Sequence, residues 1–124
     1  MTYGKNFKEN FSRRVYDYAV NVVKFTKELP NDPSTQILAR QLLRSGTSIA
    51  ANLTEAQAAS SKRGYVNFYL HALKSANETR LWLNILKDTL QKLPFNSDEI
   101  LKETIEIANI LGASIITMRK SLKK

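Results

Sequence analysis

The few places where a helix must stop constrain this chain more than anything else in it. Glycine occurs four times and proline three times in 124 residues. Pro30 and Pro33 bracket LPNDPS, Pro94 sits in KLPFNSDE, and Gly64 follows SSKRG. Proline removes a backbone donor and clashes with the preceding turn, so a helix ends there or starts just after. Between these breaks apolar residues recur at intervals of three and four, and no stretch of useful length alternates apolar and polar. Four helical segments follow.

The first spans about 11–29, with Val15, Tyr18, Val22, Phe25 and Leu29 on one stripe and Pro30 blocking continuation. The second spans about 33–60. Asp32 is placed as its N-cap and Pro33 as its first residue, both favoured there. Leu38, Leu42, Ile49, Leu53 and Ala56 mark its apolar face. Gly46 costs about 1 kcal/mol inside it relative to alanine, which suggests that another helix comes close at that point. The third spans about 64–93 and carries two adjacent stripes, one through Tyr69, Ala76 and Leu83 and one through Ala72, Thr79 and Leu86. A face that wide suits contact with more than one helix. The fourth spans about 97–122, opening on Asn96 and Glu99 in capping-box spacing and carrying its seam through Ile100, Leu101, Ile105, Ala108, Leu111 and Ile115. Long helices joined by short turns, the longer ones about 40 Å at 1.5 Å per residue, predict a single all-α domain over 1–124, an up-down-up-down antiparallel four-helix bundle.

That topology places charge in space. The chain carries a formal net charge of +8. Alternating directions bring the start of the first helix, the second turn and the end of the fourth to one end. It holds Lys5, Lys8, Arg13, Arg14, Lys62, Arg63, Arg119, Lys120, Lys123 and Lys124 with few acids. The opposite end mixes lysines with Glu28, Asp32, Asp88, Asp98, Glu99 and Glu103. A concentrated basic end is the footprint of phosphate-backbone contact, so RNA or DNA is the candidate partner and the ten cations are the candidate interface. The competing reading is a protein-interaction scaffold whose cations serve solubility and helix C-termini.

Catalytic chemistry finds little support. Cysteine is absent and His71 is the sole histidine, which removes disulfide and thiolate chemistry and disfavours a zinc site. Neither a phosphate-cradling glycine loop nor a nucleophile elbow occurs, and the Glu-x-x-His pattern of di-metal bundles is missing. The expectation is a non-enzymatic protein without metal or cofactor. No apolar run approaches the roughly 20 residues that span a bilayer, and the polar, basic start lacks a signal-peptide core. A cytoplasmic location without membrane contact is expected.

Within the second segment, LLRSGTSIAANLTEAQAASS carries Ser45, Ser48, Asn52 and Glu55 at spacings of three, four and three, one stripe of a helix that otherwise packs. Small residues permit close approach, and the amide and carboxylate can fix register by hydrogen bonds. The stripe is expected to meet the third helix near Glu78 and Thr79, inside the bundle or at a subunit boundary. Arg44 or Arg80 is then the partner that keeps Glu55 or Glu78 from being a lone carboxylate.

These residues also carry a resemblance. The Ser48, Asn52, Glu55 pattern and the run ALKSANETRLWLNILK at 72–87 resemble the small bacterial four-helix bundle proteins first noticed as products of intervening sequences within 23S ribosomal RNA genes. Ala56 stands where many members have glycine, and Ser75 where an acid is more common. The resemblance implies an up-down bundle and, as in members whose assembly is known, a ring-shaped homopentamer. The chain is also similar to the accessory variability-determinant protein of diversity-generating retroelements, which implies a reverse transcriptase and nucleic acid as partners by analogy of fold.

Overall fold

The computed structural model describes residues 3–94 and 96–122, with side chains from Asn6 onward. Four helices follow one another: α1 (Tyr3–Lys27), α2 (Pro33–Gln57), α3 (Lys62–Thr89) and α4 (Ser97–Leu122). Each packs on its neighbours in chain order and α4 returns to α1, with the α2–α3 seam the most extensive and the α1–α4 seam the least. This is the antiparallel up-down-up-down bundle that the periodicity predicts.

The helix ends follow local chemistry. The Asp32 carboxylate accepts the Thr35 amide at 3.1 Å with Pro33 opening α2, and these hydrogen bonds hold its pKa below the usual value. Ser61 is extended and accepts the Gly64 amide at 3.0 Å, so α3 begins at Lys62, ahead of the glycine expected to start it. α2 stops at Gln57, three residues early, where Ala58 and Ala59 close tighter turns onto Glu55 and Ala56 carbonyls. α3 stops at Thr89 because Leu90 is extended. α1 runs further back than its apolar stripe does, and Phe7 stacks one turn from Phe11 at 6.1 Å between centroids. The expected Asn96 cap is not formed by its side chain. The Asn96 carbonyl accepts the Ile100 amide at 3.1 Å, while its buried Oδ1 has no partner among the described residues.

The core is one continuous cluster. Phe11, Val15, Tyr18, Val22, Phe25 and Leu29 enter from α1, and Leu42, Ile49 and Leu53 from α2. Ala72, Ala76, Leu83 and Leu86 enter from α3, and Ile100, Ile107, Leu111 and Ile115 from α4. Gly46 is the close approach that its cost implied: a Cβ there would lie 2.8 Å from Cγ1 of Val22 on α1. The α4 seam differs from expectation at one position. Thr104 is fully buried and Ile105 only half so, because the buried line steps 100, 104, 107, 111, 115 and the helical period outranks residue type.

Candidate functional site

The start of α1, the α2–α3 turn and the end of α4 meet around a recess of about 490 Å³, walled by Ala56, Ala59, Lys62, Tyr65 and Met118, with Lys8 beside them. The Lys8 ammonium stands 4.9 Å from the Tyr65 ring centroid, a cation–π contact. Tyr65 in turn stacks on Tyr69 and donates its hydroxyl to the Tyr69 oxygen at 3.2 Å. Burial raises the Tyr69 pKa well above the ordinary phenol value. Lys62, Arg63, Arg119 and Lys120 are exposed at this end. Among the described residues, none of these four cations nor Lys8 forms an ion pair. The side chains of Lys5, Lys123 and Lys124 lie outside the described residues.

Arg13 and Arg14 behave differently. Arg13 Nε lies 3.3 Å from Asp17 one turn on, both well exposed. Arg14 crosses to α4. Its Nε donates to Glu103 Oε2 at 2.7 Å, and its Nη2 donates to Glu103 Oε1 at 2.6 Å and Glu106 Oε2 at 2.9 Å. The fork holds the Glu103 carboxyl below its usual range, and the same bond raises the guanidinium further. Beneath it the Tyr18 hydroxyl meets Thr104 Oγ1. Thr104 spends its own proton on the Ile100 carbonyl at 2.7 Å, so Tyr18 is the donor. Burial pushes the Tyr18 phenol above its ordinary range. Polar contacts thus bind the least extensive seam, beside an open recess of about 720 Å³ that Asn10, Asp17, Asn21 and Glu99 help to line. Sequence reasoning missed this cluster. Its one signal is a threonine on the apolar line of α4.

The polar stripe of α2 splits. Ser45 is buried, and the Thr79 hydroxyl of α3 donates to its Oγ at 2.8 Å. Ser45 also reaches the Leu42 carbonyl at 3.3 Å, and Thr79 the Ser75 carbonyl at 2.7 Å, so two protons serve three contacts. Ser48 donates to the Arg44 carbonyl and Asn52 to the Ser48 carbonyl, both within α2. Glu55 is exposed. The expected hydrogen bonds from Asn52 and Glu55 to α3 are therefore not made. The buried line runs 46, 49, 53, 56, one residue after each stripe position and about 100° round the helix, so Ser48 and Asn52 lie half-buried at its edge and Glu55 turns outward. Glu78 does find Arg44, at 3.5 Å across the seam.

Among the described residues, no group of three His, Cys, Asp or Glu is placed to hold a metal ion, and His71 is exposed. No helix of the described residues is long and apolar enough to cross a membrane.

No curated protein matches the chain. A crystal structure of a protein of unknown function from the S23 ribosomal protein family of Bacteroides thetaiotaomicron is similar to it. The TM-score is 0.79 and the identity 34%, over 87% of this chain and 96% of that one. Neither that description nor the family description names a reaction. Residues 9–113 match the model of the 23S rRNA-intervening sequence proteins, and the chain belongs to that family.

Proposed function

We propose that this protein is a non-enzymatic, self-associating helical bundle that binds nucleic acid, or a nucleoprotein, through its basic end. The observation that supports this is the set of cations at one end of the bundle (Lys8, Lys62, Arg63, Arg119 and Lys120) that form no ion pair among the described residues, while Arg14 is taken up by carboxylates. Cations without partners are free to displace counterions from a phosphate backbone. The outer face of α2 and α3 supports self-association. Ile37 on α2 and Leu81 on α3 are 59% and 50% exposed, on the two helices that the Arg44–Glu78 pair bridges. The family resemblance makes a homopentamer the expected assembly and a reverse-transcriptase complex the model for a nucleoprotein partner. The lack of cysteine suits a reducing cytoplasm.

The test is titration of labelled single-stranded RNA or DNA at about 50 and 200 mM salt, where each phosphate contact contributes a slope of about 0.7 in log K against log salt. Binding should weaken steeply with salt and fail when Arg119, Lys120, Lys123 and Lys124 are changed to Ala. Absence of binding at the lower salt overturns the reading in favour of a scaffold without a nucleic-acid role. Light scattering should give five times the 14.1 kDa chain.

A further inference from the structure

We propose that the recess at the basic end receives one unpaired nucleobase, so that the partner is a single strand and not a duplex. The inference rests on the nucleic-acid reading above and narrows it. A surface that follows a duplex by its phosphates needs only cations along a face; a cavity adds nothing to it. Here two of them, Lys8 and Lys62, line one. Its volume of about 490 Å³ falls within the range of small-ligand sites.

The walls suit a flat π system. Ala56, Ala59 and Met118 are apolar, and the thioether adapts to irregular shapes. Tyr65 supplies an aromatic face and is held in place by its stacking on Tyr69, with centroids 5.0 Å apart and rings inclined by 27°. Lys8 occupies the position over that ring now. A base entering the recess takes the ammonium's place, since base–aromatic stacking exceeds an exposed cation–π contact. The displaced Lys8, on a flexible stem, meets the phosphate that arrives with the base, and Lys62 of α3 lines the same recess. A paired base has both faces covered and its edge engaged, so only a splayed nucleotide can enter. Recognition through stacking tolerates any base.

The experiment compares a fluorescein-labelled 12-nucleotide oligouridylate with a 12-base-pair RNA duplex, by anisotropy, on the full chain at low salt. The single strand should bind at least tenfold more tightly. Ala59→Phe fills the recess without changing charge and should remove that preference while leaving duplex binding unaltered. Tyr65→Leu, which keeps bulk and removes the ring, should do the same, with the fold checked by circular dichroism. Equal affinity for the two RNAs in the native protein overturns the proposal and leaves the basic-end reading standing, as does a preference that survives either variant in folded form. Failure of both RNAs to bind removes both. If neither variant folds, the native preference alone decides.

Discussion

Gly46 and Gly112 both sit inside long helices, yet the same substitution should act on them with opposite sign. Replacing a helical glycine by alanine gains about 1 kcal/mol from backbone entropy alone. At Gly112 a Cβ meets nothing within 4 Å, so Gly112→Ala should keep that gain. At Gly46 the Cβ would lie 2.8 Å from Val22 Cγ1 and 3.2 Å from Cγ2, about 1 Å inside an ordinary carbon–carbon contact. Val22 is fully buried, and a β-branched side chain in a helix has essentially one rotamer. It cannot swing away, so α1 itself must shift. Overpacking of this kind costs about 1–3 kcal/mol, and the balance for Gly46→Ala is a loss of about 1 kcal/mol. The two variants should therefore differ by about 2 kcal/mol. Urea denaturation followed at 222 nm, at one fixed protomer concentration because assembly couples to stability, measures this directly. Adding Val22→Ala to Gly46→Ala should show favourable coupling, since the clash is gone. If Gly46→Ala stabilises the protein as much as Gly112→Ala does, the close approach of α1 to α2 is not real.

Two further outcomes follow from the Arg14 fork. Its hydrogen bond depresses the Glu103 pKa, so the stability it supplies is complete above the ordinary carboxyl value of 4.5 and disappears as pH falls through the lower folded value. Arg14→Gln should lose about 1 kcal/mol or less at pH 7, after discounting for the 39% exposure of the arginine side chain, and thermal melts of the variant and native protein should converge as pH falls through that lowered value. Because that guanidinium is engaged by two carboxylates, Arg14→Ala should leave the salt slope of nucleic-acid binding unchanged, whereas Lys62→Ala should flatten it by about 0.7 for a single strand; equal flattening by both would place Arg14 on the phosphates.

What could be read from the sequence divides along a physical line. A helix's own period and its caps are local, so Asp32 and Pro33 could be placed as the start of α2, and Gly46 marked as a close approach, before any fold was known. The Ser61 cap was obscured because Gly64 three residues later looks like the break, while in fact it lies in the first turn it helps to form. Ile105 fits the seam by residue type, although Thr104 holds the inward position. What no local pattern contains is the rotation of one helix against the next. That rotation decides that Arg14 points to Glu103 and not to solvent, that Ser45 alone of its stripe faces α3, and that Lys8 comes to lie over Tyr65. The basic end was therefore legible as a population of charges and illegible as a set of partners.

The hydroxyls in the core explain why a packing helix tolerates a polar stripe. Leucine, isoleucine and alanine faces can slide past one another with little loss, because apolar contact is non-directional. A donor–acceptor pair cannot. Slipping α2 against α3 by one residue, 1.5 Å along the axis, would separate Thr79 from Ser45 and forfeit that one directional hydrogen bond, about 0.5–1.5 kcal/mol, while each hydroxyl keeps a carbonyl of its own helix. Tyr18 and Thr104 impose the same condition on α1 and α4 from the opposite side of the bundle, with the Arg14 fork repeating it nearer the surface. Each of the two seams is thus pinned at one buried hydroxyl pair. With register fixed from inside, Ser48, Asn52 and Glu55 are not needed to hold α2 on α3. They satisfy themselves within their own helix or face outward, on the side of the bundle that the proposed self-association would use.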